Sequence, residues 1–333
     1  MVGMKSKSGH PGDHKSEEQR SGGRSESCSF CQKPTVVRLR EPNRSLCAEH
    51  FIQDCEERVK RAVEAEGMIA PGDRIAVGLS GGKDSTALLM ILEKIFSSTD
   101  IELVAITIDE GISGYREETM AAAVELTRRL AIPQQIVSFC ELFGRDLDSL
   151  LFRREKEACT VCGVLRRRAL LEGARRAGAT KIATGHNLDD EAQSVLMNVL
   201  RGDLPRLLQD TSSGYPECFI PRIKPLIPLS EKEIVIFLMV QGVFVDLPEC
   251  PYAHTALRGE VREMLADLEF HHPGTREKLI HARNMVRERI SGNFVGESTR
   301  GGNLITHCRI CGEVCSSEIC AVCRVLGDVA NIT

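Results

Sequence analysis

Between Arg74 and Leu92 the chain passes from a short apolar run, through a glycine-rich turn, into an apolar helical pattern. Arg74-Ile75-Ala76-Val77 reads as a strand, and Gly78–Thr86 spells Gly-Leu-Ser-Gly-Gly-Lys-Asp-Ser-Thr. Ala87–Leu92 opens a helix. Such a junction aims free backbone N–H groups and the positive end of a helix dipole at one spot, which suits a phosphate. Gly78 ends the strand, and Gly81 and Gly82 are read as allowing φ > 0 and close backbone approach. Lys83 offsets phosphate charge, while Ser80 and Ser85 donate hydrogen bonds. Asp84 repels phosphate unless a metal lies between them, so Mg²⁺ at Asp84 is implied. The spacing is not the Gly-x4-Gly-Lys-Ser/Thr of P-loop kinases and ATPases. The plain alternative is a glycine-rich turn that holds nothing.

The loop resembles the Ser-Gly-Gly-x-Asp-Ser pyrophosphate loop of ATP pyrophosphatases, which cleave ATP between its α and β phosphates and adenylate a substrate. The same alternation continues along the chain. Strands are expected at Arg74–Gly78, Glu102–Ile108, Gln134–Ser138 and Lys181–Thr184. Helices are expected at Ser85–Phe96, Arg116–Leu130, Cys162–Ala177, Asn187–Leu200 and Glu231–Gln241. That order implies an α/β domain with a parallel sheet, helices on both faces and a ligand at the carboxyl ends of the strands. Further helices are expected at Phe51–Gly67, Arg258–Leu268 and Arg276–Ser291. The boundaries read as a disordered polar tail over 1–27, a zinc finger and helix over 28–67, a catalytic domain over 68–300 and a second zinc finger over 301–333. No apolar run is long enough to span a bilayer, and no secretory signal is visible, so a cytoplasmic protein is expected.

Net charge is −4, which does not by itself point to nucleic acid. Arginine pairs at 128–129, 153–154 and 175–176 and the triplet Arg166–Arg168 cluster near Cys159 and Cys162. Solvated helix faces explain such runs, and a polyanion footprint is the sharper alternative. Fourteen cysteines without a secretory signal point to metal or redox chemistry rather than disulfides. Cys28-x2-Cys31-x15-Cys47-x2-His50 suits a structural zinc site of three cysteines and one histidine. Cys308-x2-Cys311-x8-Cys320-x2-Cys323 suits an all-cysteine zinc site, with Cys315 as an extra thiol. Cys159-x2-Cys162 is different. It sits within the α/β region just before a helix, and Cys250 is its nearest partner in type. Three thiols leave a cluster or metal one open position, and a redox pair carrying persulfide through Cys162 or Cys250 competes with that reading. Cys55, Cys140 and Cys218 have no partner at useful spacing.

Taken together, these motifs resemble the tRNA 2-thiouridine synthetases of archaea and the eukaryotic cytosol, with a close relation to the thermophile enzymes acting in the T-loop. The matching segments are Val77–Thr86, Ile108–Arg116, Cys159–Arg168, Thr184–Ala192, Leu200–Asp203, Glu249–Tyr252 and both zinc segments. The resemblance implies that ATP and Mg²⁺ adenylate C2 of a tRNA uridine, and that sulfur then displaces AMP. It implies that Cys159, Cys162 and Cys250 hold a 4Fe-4S cluster, and that Asp109, Gly185 and His186 help hold the nucleotide. Asp190 is the implied catalytic or metal-binding carboxylate, while His186 is equally readable as a helix-start residue. The wobble uridine is favoured, with the T-loop uridine and cluster-free persulfide chemistry as alternatives. Free sulfide or a ubiquitin-like carrier is the implied donor, and a homodimer the implied assembly.

Overall fold

The computed structural model describes residues 27–39, 43–152, 157–208, 220–245, 250–252, 257–293 and 306–330; the expected tail and Cys218 lie outside them, apart from Ser27. The chain divides into two units, residues 1–50 and 51–333. In the first, β1 (Val37–Leu39) and β2 (Arg44–Leu46) form an antiparallel hairpin before α1 (Ala48–Ala65) starts.

The second unit is built on a five-stranded sheet. Its strands are β3 (Arg74–Gly78), β4 (Glu102–Asp109), β5 (Gln134–Ser138), β6 (Lys181–Ala183) and β7 (Arg222–Ile223). The order β5-β4-β3-β6-β7 is parallel throughout. The order reverses between β3 and β6, and that switch point is where an open α/β sheet places its ligand. Ile75, Ala76 and Val77 are all fully buried, as a strand covered on both faces requires.

Between the strands run α2 (Lys83–Phe96), α3 (Arg116–Leu130), the short α4 (Phe139–Phe143) and α5 (Leu147–Leu150), and α6 (Ala158–Arg176). After β6 come α7 (Leu188–Leu200) and α8 (Leu204–Leu208), and after β7 comes α9 (Glu231–Val240). Two helices follow, α10 (Leu257–His271) and α11 (Thr275–Asn293). The chain ends in a small hairpin, β8 (Thr306–His307) with β9 (Val314–Cys315), and α12 (Ala321–Ala330). Val161, Leu165 and Ala169 of α6 pack into one core with Val104, Ile106 and Val137 of the sheet. No helix among the described residues is long and apolar enough to cross a membrane.

Three sequence expectations change. Helix α6 starts at Ala158, so Cys159 and Cys162 lie inside its first turns rather than ahead of it. Burial of Ala158 and Val161 against the sheet carries the helix past the expected start. Helix α2 starts at Lys83, two residues early, because Gly82 takes the extended N-cap conformation with φ −72°. Gly82 therefore does not use the left-handed region, whereas Gly81 does, at φ +88°. Strand β7 is only two residues long and carries no alternation to read.

Candidate active site and metal centres

The loop after β3 is held by its own serines. Ser85 Oγ accepts from Ser80 N at 3.2 Å and donates to the Gly82 carbonyl at 2.9 Å. Ser80 Oγ accepts from Gly82 N at 3.3 Å. A Cβ on Gly81 would lie 2.1 Å from the Thr119 carbonyl oxygen, so only glycine fits there. Lys83 Nζ lies 3.0 Å from Asp84 Oδ2 and 2.9 Å from Glu231 Oε1. Burial works against its charge, but Asp84 and Glu231 prevail and raise its pKa, so Lys83 is a cation.

The loop after β6 comes alongside. A Cβ on Gly185 would meet Asp84 C and Ser85 N at 3.0 Å, which is tighter than a side chain normally tolerates. Asn187 is the N-cap of α7 and forms a capping box with Asp190. Its Nδ2 also donates to Asp84 Oδ1 at 2.9 Å, linking the two loops. Asp190 Oδ1 accepts from Arg258 at 3.2 Å. His186 Nδ1 pairs with the Thr184 hydroxyl at 2.8 Å and does not cap the helix. Desolvation, followed by the charge of Lys224, holds the His186 pKa below its usual value. Asp189 points elsewhere, to Glu231 N at 2.8 Å and Arg276 at 3.1 Å. At the end of β4, Asp109 Oδ1 accepts from Gly111 N at 3.0 Å and closes a turn.

The three remaining cysteines of interest gather beside this crevice. Cys162 is buried, Cys250 half-buried and Cys159 exposed. Cys159 Sγ donates to the Tyr252 carbonyl at 3.5 Å, and Cys250 and Tyr252 pack on the core that contains Cys162. Burial pushes the Cys162 thiol up to about 11, while Arg166 pulls it down. Arg166 donates to Cys162 Sγ at 3.2 Å. Arg168 instead pairs with Glu313, and Arg167 is exposed.

Two groups of four donors have all ligand atoms within 4.8 Å of one another: Cys28, Cys31, Cys47 and His50, and Cys308, Cys311, Cys320 and Cys323. Arms of about 2.3 Å give a tetrahedron edges of about 3.8 Å. Cys31 and Cys47 lie 3.7 Å apart, and so do Cys311 and Cys320. Backbone N–H groups of Cys320 and Cys311 bring the Cys308 thiol down to about 6, favouring the thiolate that binds metal. Cys315 stands outside its group and donates to the Ser317 carbonyl at 2.9 Å.

A family model described as PP-loop domain matches residues 51–249, and one described as 2-thiouridine synthetase TtuA, N-terminal LIM domain, matches 27–52. The tRNA 2-thiolation protein NcsA of Haloferax volcanii is 36% identical, over 92% of this chain and 99% of its own. Cytoplasmic tRNA 2-thiolation protein 1 of Bos taurus is 37% identical, over 90% of this chain and 86% of its own. The chain belongs to the tRNA 2-thiolation protein family. A solved member, described as U34-tRNA thiolase NcsA from Methanococcus maripaludis with its 4Fe-4S cluster, superposes with a TM-score of 0.78. It is 30% identical, and the match covers 91% of this chain and 96% of that one.

For a member of the tRNA 2-thiolation family, the sequence reading missed several partners. Glu231 pairs with Lys83 from far along the chain, and no local pattern announces it. Asn187 was readable, because Asn followed three residues later by Asp at a helix start is a capping signal. Glu110 and Arg116 lay inside the matched segment but carried no assigned role. Cys55 is fully buried and Cys140 exposed, and neither joins a donor group.

Proposed function

We propose that this chain is an ATP-dependent tRNA-uridine 2-sulfurtransferase that works in the cytoplasm on the wobble uridine. What supports this is Cys162, linked through Arg166, Glu110 and Arg116 to the Ser80 carbonyl of the PP-loop, in a chain 30% identical to a U34-tRNA thiolase.

Oxygen at C2 of uridine is a poor leaving group, and adenylation makes it a good one. The N–H groups at the start of α2, Ser80, Ser85 and Lys83 hold the leaving pyrophosphate. Each Asp84 oxygen has one partner, Lys83 or Asn187, and keeps a lone pair for Mg²⁺. Asp190, in the first turn of α7 and tied to Asp84 through Asn187, faces the nucleotide. Gly78, Gly81, Gly82, Asp109, Gly185 and His186 line the nucleotide and nucleoside positions.

Cys159, Cys162 and Cys250 would hold a 4Fe-4S cluster. The donor set fits in its chemistry: three thiols of one neighbourhood, Cys159 against the Tyr252 carbonyl and Cys250 on the core that holds Cys162, with no fourth protein thiol among the described residues beside them. Such a cluster supplies one iron without a protein ligand, where sulfur can be held. Arg166 supplies a positive edge beside the Cys162 sulfur. The two four-donor groups take structural zinc. Free sulfide or a ubiquitin-like thiocarboxylate is the donor, and a homodimer the assembly.

The test is nucleoside mass spectrometry of tRNA treated with anaerobically reconstituted protein, ATP, Mg²⁺ and sulfide. The expected product is 2-thiouridine at the wobble position. Thiolation confined to the T-loop would support the other uridine, and full activity without iron would support persulfide chemistry.

A further inference from the structure

The loop joining β4 to α3 touches both halves of the site, and one buried carboxylate makes the connection. Glu110 is 3% exposed and Arg116 5%. Glu110 Oε2 lies 2.8 Å from Arg116 Nε, an ion pair whose N–H is not aimed at the oxygen. The other Arg116 nitrogens reach the Ser80 carbonyl at 3.2 Å, the Thr119 hydroxyl at 2.9 Å and the Ile108 carbonyl. Glu110 Oε1 lies 2.7 Å from Arg166 Nε, and Arg166 in turn donates to Cys162 Sγ at 3.2 Å. One carboxylate therefore serves two guanidinium groups. One braces the backbone of the nucleotide loop, and the other sits on a cysteine sulfur. The Glu110 carbonyl is itself pinned by Leu147 N at 2.8 Å. A second tie runs from the same loop: Asp148 accepts from Ser113 N at 3.0 Å and from the Tyr252 hydroxyl at 2.8 Å, two residues from Cys250.

We propose that Glu110 is a positioning residue shared by the two half-reactions, orienting Arg116 against the nucleotide loop and Arg166 against Cys162. Glu110 reaches the nucleotide loop through Arg116 and Cys162 through Arg166, and its charge adds a weaker direct push upward on the Cys162 thiol. A buried carboxylate is a costly way to fill space, since apolar side chains of equal volume stabilise as well or better. The carboxylate supplies the counter-charge that keeps the buried Arg116 against Ser80, Thr119 and Ile108, and it holds Arg166 at Nε so that its fork turns toward Cys162. The inference rests on the proposed function for what the cysteines hold, but its geometry does not.

The experiment is a double-mutant cycle of Glu110→Gln, which keeps the side-chain shape and removes the charge, and Arg166→Gln, which removes the guanidinium. ATP affinity of the apo protein is measured by calorimetry. Cysteine-site behaviour is read from the midpoint potential of the reconstituted cluster and, in apo protein, from the alkylation rate of Cys162 at one fixed pH. Glu110→Gln is expected to weaken ATP binding about tenfold, by the same factor with or without Arg166, because that effect runs through Arg116. It is expected to shift the potential and slow alkylation when Arg166 is present; once Arg166 is gone only the weaker direct charge of Glu110 on Cys162 remains, so the change is small and of opposite sign. Equal shifts in both backgrounds, or unchanged ATP affinity, would overturn the proposal. If wild-type protein takes up no iron, the cluster reading fails while the ATP and alkylation arms still decide Glu110. Should Glu110→Gln not fold, Glu110→Asp retains the charge, retracts both oxygens and carries the same cycle.

Discussion

Lys83 spans Asp84 and Glu231, so its ammonium already stands at the start of α2 before any phosphate arrives. Replacing Lys83 or Asp84 with Ala is expected to slow AMP formation by about 10²–10³, the usual cost of losing one preorganised charge stabiliser. Metal content should not change. A pyrophosphate-release assay checks this, and wild-type rates in Asp84→Ala would remove the loop from the reaction. Asp190 carries two duties, since it closes the α7 capping box and faces Arg258. Asp190→Ala is expected to lose thiolated tRNA yet keep the visible spectrum of the cluster. Nucleoside analysis beside the spectrum separates the duties. Normal thiolation would take Asp190 out of the site, and a lost spectrum would leave it only its role at the helix start.

At the scale of elements, α6 brings two cysteines to the crevice by starting earlier than its apolar pattern suggests. Ala substitutions at Cys159, Cys162 or Cys250 are expected to abolish thiolation and lower iron content, with ATP binding and zinc unchanged. Metal analysis with calorimetry checks this, and any single variant with full iron and activity would break the three-ligand reading. The β6–α7 loop depends on close backbone approach at Gly185. Gly185→Ala puts a methyl 3.0 Å from the α2 backbone and should cost about 1–3 kcal/mol of overpacking. Weaker ATP binding and a lower Tm are expected together, and a variant with wild-type values in both would show that the loops can separate freely.

Across the whole molecule, Glu191 is the clamp with the clearest pH signature. It pairs with Lys224 at 2.8 Å and with Arg283, joining α7 to the segment after β7 and to α11. Burial alone would raise its pKa, but these two cations outweigh burial and bring it from 4.5 down to about 2. A depressed carboxylate adds stability above its unfolded value and loses it as pH falls through the folded one. The contribution is about 3 kcal/mol. Urea unfolding between pH 2 and 7 is expected to show stability falling below about 4.5, with Glu191→Gln flattening that slope. An identical slope in the variant would assign the acid sensitivity to other carboxylates.

Features that depend on near neighbours along the chain are legible in the order of residues. The turn between β3 and α2 takes its form from glycines and serines a few residues apart, Ser80, Gly81, Gly82 and Ser85. The two four-donor groups follow from short knuckle spacings, and the strand–helix alternation gives the parallel sheet, because each of these depends on neighbours along the chain. Contacts between distant segments came only with folding. Glu231 reaches Lys83, the Tyr252 carbonyl meets Cys159, and Arg258 meets Asp190 only because the sheet order brings distant segments to one crevice. The true start of α6 was set by burial of Ala158 and Val161 against the sheet, which no helical period encodes. Glu110 shows the difference most plainly. As a letter in a matched segment it is one more surface-type residue, and only folding buries it between two arginines, where leaving water requires that its charge be paired.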